Sequence, residues 1–272
     1  MSRNGLLIAL ALAVLVGGLF AAHPELDLKI SAYFVRTDFR SDHTFGLRFH
    51  PQVWALRDAI ISVTAVMVLA AAAAPAWKAL RPATRMAIPG RAVILLLSTL
   101  ALGPGLLTNV VLKDHWARPR PVDVIEFGGS ERFMPWWKPG GDCARNCSFV
   151  SGDAAGAYWT LAAAAVVPGP WRPLAFAAAL TFGAAMSLLR IMAGAHFASD
   201  VFFSGLFTFL IVWIVYALLY RWPATCTTDE AIERLVVRLA ARVRARLPGL
   251  RRRLRPRPGA TREGAQRALD FG

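Results

Sequence analysis

Long apolar runs, broken by short polar stretches, dominate this chain. The runs are too uniform to be one face of a soluble helix. Six of them approach the ~20 apolar residues a helix needs to cross a bilayer. They lie at about 6–22, 59–77, 92–112, 148–167, 174–193 and 201–220. The pattern predicts an all-α protein, a six-transmembrane-helix bundle. Arg3 before an apolar core, with "FAAHP" after it, also resembles a signal peptide and its cleavage site; a retained helix is the reading taken. No internal repeat stands out.

Composition agrees with the pattern. A hydrophobic fraction of 56% over 272 residues, with mean hydropathy +0.45, is too high for a soluble domain of this size. The expected organisation is one membrane domain, 1–220, and a basic tail, 221–272.

Charge sets the expected orientation. With the N-terminus inside, Lys78, Arg81, Arg85, Arg91 and Arg172 face the cytoplasm, as does the tail with its 13 arginines. That places 19 basic residues inside against 11 in the two long outer loops, although without the tail the bias reverses to 6 against 11. The expectation is a multi-pass bacterial inner (plasma) membrane protein with a cytoplasmic C-terminus.

In the tail, Thr227-x-x-Glu230 reads as a capping box, followed by Ile232, Leu235, Val236, Leu239 and Val243 at helical spacing. An amphipathic helix over about 228–247 is expected to rest on anionic lipid headgroups. The remaining stretch is expected to be disordered. Nucleic acid is not an expected partner, because the basic run lacks interleaved aromatics.

Polar clusters interrupt the runs on the other side. "KDHWARPRP" places Lys113 seven residues before Arg120, "SGD" occupies 151–153, and Arg190 is followed by His196 and Asp200. In the expected topology all three clusters face one side of the membrane. Lys113, Arg120 and Arg190 offer fixed positive charge suited to a phosphoryl group. Ser151 and Gly152 at a helix start add a hydroxyl and free N–H groups. His196 and Asp200, four apart on a helix, share a face, so the carboxylate is expected to take one imidazole proton and free the other nitrogen for attack. Cations with an activated histidine describe phosphoryl transfer through a phosphohistidine, with no metal or cofactor.

Together these motifs resemble the three-part signature of the type 2 phosphatidic acid phosphatase superfamily: Lys113, Arg120 and Pro121; Ser151 and Gly152; Arg190, His196 and Asp200. The resemblance covers roughly residues 1–220. It implies a six-helix bundle in which the lysine and arginines hold phosphate, His196 is the nucleophile and no metal is required. "NCSFVSGD" looks most like bacterial lipid phosphatases of the lipid A 1-phosphatase type.

Two departures matter. The family's second motif usually ends in histidine, which protonates the leaving group; here Asp153 stands there. Neighbouring arginines favour its ionised form, so it is a poor acid, tolerable where the leaving group departs easily. That favours lipid A 1-phosphate or a polyprenyl diphosphate over phosphatidate. His115 is the alternative proton source. The usual serine before the third-motif arginine is Leu189 here.

Each residue also has a plainer reading. Lys113, Arg118 and Arg120 would serve as interface anchors, and Ser151, Asp153 and Asp200 as helix caps. Cys143 and Cys147 are placed for a disulfide bracing the second motif if their loop faces the periplasm; lipid-facing thiols are the alternative, and Cys226 should stay reduced inside. Phe127, Phe133, Trp136 and Trp137 are expected as belt anchors or as a lid over the site. Residues 23–50 are expected to lie along the interface without chemistry.

A transporter would need ionisable groups deep in its spans, and these spans nearly lack them. The expected function is a lipid phosphatase acting at the periplasmic face on a phospholipid or lipid A-type substrate. Phosphatidylglycerophosphate hydrolysis, transfer of the phosphoryl group to a second lipid, and non-catalytic lipid binding are the alternatives.

Overall fold

The computed structural model describes residues 1–35, 45–222, 224–225 and 227–246. Cys226 and the stretch expected to be disordered lie outside the described residues. Among the described residues every regular element is helical, apart from two isolated β-bridges. In chain order the α-helices are α1 (Arg3–Ala22), α2 (Glu25–Ala32), α3 (Pro51–Leu80), α4 (Gly90–Leu100), α5 (Lys113–His115), α6 (Gly152–Tyr158), α7 (Thr160–Val166), α8 (Arg172–Met192), α9 (Ala198–Tyr220) and α10 (Asp229–Arg246).

Five helical segments are long and apolar enough to cross a membrane: α1, α3, the continuous helix Gly90–His115, Gly169–Met192 and α9. Each covers an expected run, short of it only at Ala193, and extends beyond it at the N-terminal end, because polar caps and first turns belong to the helix but not to the apolar window.

The expected run at 148–167 differs. It forms two seven-residue helices, α6 and α7, broken at Trp159. α6 starts at the end of the bundle where α8 finishes, so the broken pair carries the chain back through the bundle to the start of α8. Their alanines explain the placement. Ala154, Ala155, Ala157, Ala162, Ala164 and Ala165 are all buried, so this pair sits inside the bundle. Trp159 is completely buried there, and its indole N–H is shared between the Leu96 carbonyl (3.0 Å) and Thr99 Oγ1 (3.1 Å), as a buried indole requires. On α8, a Cβ at Gly183 would stand 2.1 Å from the Tyr158 ring, so only glycine permits this approach.

The helix Gly90–His115 changes pitch midway. Ala101–Leu112 is π-helical and contains Pro104, which cannot donate to the preceding turn. The Asn109 side chain caps the Pro104 carbonyl at 2.7 Å. Widened helical turns of this kind re-aim the residues beyond them, and here those residues begin with Lys113.

The two ends of the bundle differ in character. At one end α10 packs on α3 and α4. Lys78 pairs with Glu233 (2.7 Å) and Arg91 with Asp229 (3.2 Å), and Ile232 is buried against Gly90. α10 lies in the stretch expected to form a tail helix on lipid headgroups, and its first turns dock on protein instead. Leu235, Leu239 and Val243 stay exposed. The Met1 carbonyl accepts from Arg221 at this same end. The opposite end gathers the starts of α3, α6 and α9 and the ends of α5 and α8.

A core of aromatic side chains covers that second end. Trp136 packs on Phe203 and donates to the Gly17 carbonyl at 3.2 Å, Phe133 meets Phe197, and Phe127 meets Phe45. Three of the four aromatics expected as belt or lid are thus packed into the protein; Trp137 is half exposed.

Candidate functional site

His196 lies in the turn between α8 and α9 and is only 2% exposed. Its Nδ1 stands 2.7 Å from the Ser148 carbonyl. A carbonyl can only accept, so Nδ1 carries the proton and Nε2 keeps its lone pair. Burial, then the charges of Arg190, Arg120 and Lys113, push its pKa well below the usual histidine value. The ring is held neutral, as a nucleophile must be.

Asp200 does not play the part expected from its spacing. Its Oδ2 is 4.0 Å from His196 Nδ1, beyond hydrogen-bond range. That oxygen accepts instead from Ser148 Oγ (2.5 Å) and the Phe197 N–H (2.8 Å). Its other oxygen pairs with Arg118. The i,i+4 spacing is right for a shared face, but Asp200 is in the first turn of α9 and caps Phe197, while His196 precedes the helix. Asp200 therefore fixes Ser148, and the Ser148 carbonyl fixes the imidazole.

Arg118, for which the plainer reading is an interface anchor, is completely buried. It joins Asp200 to Asp27 of α2, with 2.8 Å from Nη2 to Asp27 Oδ2, and donates to Ser199 Oγ (2.8 Å) and the Met134 carbonyl (2.8 Å). Asp27 also accepts from Ser199 N–H (2.9 Å) and Oγ (2.6 Å). Burial disfavours the charge of Arg118, but Asp200 and Asp27 outweigh this and raise its pKa. Asp27 lies in the segment expected to hold no chemistry. No sequence signal marks its partner 91 residues away; the nearest hint is a carboxylate beside an apolar helix.

The cations converge around the histidine. Lys113 Nζ donates to Asn146 Oδ1 (3.1 Å), and Arg120 donates to the Asn146 carbonyl through Nε (3.2 Å) and Nη2 (2.8 Å). Asn146 adopts φ 53°, a left-handed conformation asparagine tolerates better than most residues. A disulfide joins Cys143 to Cys147, closing the turn that carries it. Arg190 reaches the same region from the end of α8. Ser151 caps α6, accepting from the Ala154 N–H at 3.3 Å. A Cβ at Gly152 would lie 2.8 Å from Asn109 Oδ1 and 3.5 Å from Lys113 Nζ, so the glycine of the second motif lets two side chains of the neighbouring helix approach the backbone.

Asp153 turns away from the role of a free acid. Its Oδ2 accepts from Arg57 Nε at 2.8 Å and lies 3.4 Å from Arg190 Nε. Arg57, on α3, was not singled out by any motif. His115 is exposed and bonded within its own helix, to the Val111 carbonyl at 2.9 Å, so the alternative proton source points back along the chain. A pocket of about 130 Å³ is lined by Arg48, Trp54, Arg57, Arg120 and Arg190. That is room for a phosphate and a few waters, not for a lipid. Among the described residues, no three His, Cys, Asp or Glu side chains gather as a metal would require.

Comparison with known proteins adds the following. A family profile described as the PAP2 superfamily matches residues 91–224. A lipid A 4'-phosphatase of Francisella tularensis subsp. novicida is 43% identical over 132 residues, 48% of this chain and 60% of that protein. A lipid A 4'-phosphatase of Rhizobium leguminosarum is 40% identical over 122 residues, 45% of this chain and 52% of that protein. One from Rhizobium etli is 44% identical over 110 residues, 39% of this chain and 41% of that protein. The chain thus spans about half the length of the curated relatives it matches. No solved structure matches it.

Proposed function

Residues 91–224 of this chain belong to the PAP2 superfamily, and from that premise we propose that the protein is a bacterial multi-pass membrane phosphatase that removes a phosphate from lipid A. The observation that carries the reading is the buried, neutral His196, its Nδ1 held by the Ser148 carbonyl and its surroundings charged by Lys113, Arg120 and Arg190.

The reaction follows from those groups. His196 Nε2 attacks phosphorus as the bond to the lipid oxygen breaks, giving a phosphohistidine and a lipid hydroxyl once that oxygen takes a proton. Lys113, Arg120, Arg190 and the N–H groups at the start of α6 stabilise the charge on the transferring group. Water then attacks phosphorus, the P–N bond breaks, and inorganic phosphate leaves with His196 neutral again. Asp200 and Arg118 position the nucleophile through Ser148. Asp153 balances the charge of Arg57 and Arg190. The site faces the periplasm, with α10 and the C-terminus on the cytoplasmic side.

The relatives' names favour the 4'-phosphate over the 1-phosphate expected from sequence. The pairing of Asp153 with two arginines favours the second reading, the 1-phosphate, because an anomeric leaving group needs less help from an acid. Incubating the purified protein with bis-phosphorylated lipid A, and locating the missing phosphate by fragmentation mass spectrometry, decides between them. Loss from neither position, with His196 intact, rejects the proposal.

A further inference from the structure

We propose that the groove between α3 and α8 is the binding site for an acyl chain of the lipid substrate; this rests on the lipid-phosphatase reading above. The groove begins where the basic pocket ends. Val53 and Arg57 of α3, and Leu189 and Arg190 of α8, border the pocket. One turn deeper, Ile60 and Ala185 border an apolar groove of about 670 Å³, which continues along Val63, Phe182 and Ala178. Residues three or four apart share a helix face, so pocket and groove occupy one continuous face of each helix. A third hollow of about 330 Å³ shares Val63, Ala178 and Phe182 and extends the path to Met67.

Length and lining identify the occupant. From Leu189 at the pocket to Ala178 in the groove the path runs about 16 Å by helical rise, close to one leaflet, half of the ~30 Å hydrocarbon core. Small residues on both helices, Ala59 with Ala177, Ala178 and Ala185, leave the space open. Ile60, Met186 and Leu189 pack together where the groove meets the pocket. A lipid whose phosphate reaches Arg57 and Arg190 has its chain placed directly over this channel. The bilayer is as apolar as the groove, so the groove adds little affinity by burial. It acts by orientation, holding the phosphate against His196.

Two experiments test this. Ala178→Trp fills the groove from an exposed position, and Ala184→Trp, also exposed and outside the groove, is its control. Ala178→Trp is expected to lower kcat/KM at least tenfold for lipid A and to leave turnover of water-soluble p-nitrophenyl phosphate unchanged, with Ala184→Trp like the parent on both. Equal behaviour of the two variants on lipid A, with the parent active, overturns the groove while leaving the phosphatase reading in place. Lipid A carrying a diazirine in its acyl chain reads binding without turnover in the His196→Ala protein. It is expected to label residues 174–185 and to be displaced by unlabelled lipid A but not by phosphatidylcholine. Labelling spread over all lipid-facing helices, or displaced equally by phosphatidylcholine, means bulk lipid fills the groove and overturns the proposal.

Discussion

Asp200 and His196 stand 4.0 Å apart without a hydrogen bond, and Ser148 connects them, its hydroxyl donating to the carboxylate and its carbonyl accepting from the imidazole. Asp200 therefore orients the imidazole at one remove. Ser148→Ala keeps the carbonyl and removes the hydroxyl. It is expected to lower kcat by about 10–100-fold, with a smaller change in KM, because the lost group positions a reacting atom without touching substrate. Steady-state kinetics on lipid A checks this split.

Arg118 lies between Asp27 and Asp200 with no solvent access to any of the three. Arg118→Met leaves two carboxylates buried without their counter-charge. The loss is expected to be about 3–5 kcal/mol, the usual cost of breaking a buried pair from one side. Asp27→Asn keeps the shape and removes one of the two negative charges, so it is expected to cost less. Thermal unfolding in detergent of both variants beside the parent measures the difference.

The pH dependence has a definite sign. His196 has its folded-state pKa pushed below the unfolded value by burial and by three cations, with the unfolded value near ~6.5. A group depressed in this way favours the folded state above the unfolded pKa, and that contribution falls away as pH drops below it. The imidazole likewise keeps its free lone pair below the pH at which an ordinary histidine protonates. The acid limb of kcat/KM attributable to the enzyme is expected below ~6.5. A pH–rate profile with p-nitrophenyl phosphate, corrected for ionisation of the substrate, checks it.

Much of the architecture was legible because apolar length and fixed motif spacing are local signals. Five long runs became long helices, and Lys113, Ser151, Arg190 and His196 are brought to one end of the bundle. At 148–167 the break at Trp159 and the burial of the run inside the bundle left no trace, because hydropathy records how apolar a run is and not whether lipid or protein surrounds it. Alanine-rich faces were the available clue. Asp27, Arg57, Asn146 and Ser148 escaped for a different reason. Each acts through a partner far along the chain or through a backbone carbonyl, and neither leaves a periodic trace. For Arg118 an interface anchor was one of the readings open, since most arginines at helix ends do sit there, and nothing local marks its two buried carboxylate partners.

The Cys143–Cys147 disulfide closes the turn that presents Asn146 to both Lys113 and Arg120. Its removal should loosen the two cations while leaving the helices in place. The Cys143→Ser/Cys147→Ser protein is expected to show a KM for lipid A raised about 3–10-fold, with circular dichroism unchanged; this corresponds to about 1 kcal/mol, the typical net worth of a hydrogen bond. Kinetics and far-UV spectra on the same preparation check both halves.

The central claim is that His196 accepts the phosphoryl group. The most direct measurement is rapid acid-free quenching of the purified protein with 32P-labelled lipid A, followed by analysis for alkali-stable, acid-labile label on the chain. The account predicts such label on the parent at residue 196, phosphate release at the same time, and neither in His196→Ala. Phosphate release by His196→Ala at the parent's rate would contradict it.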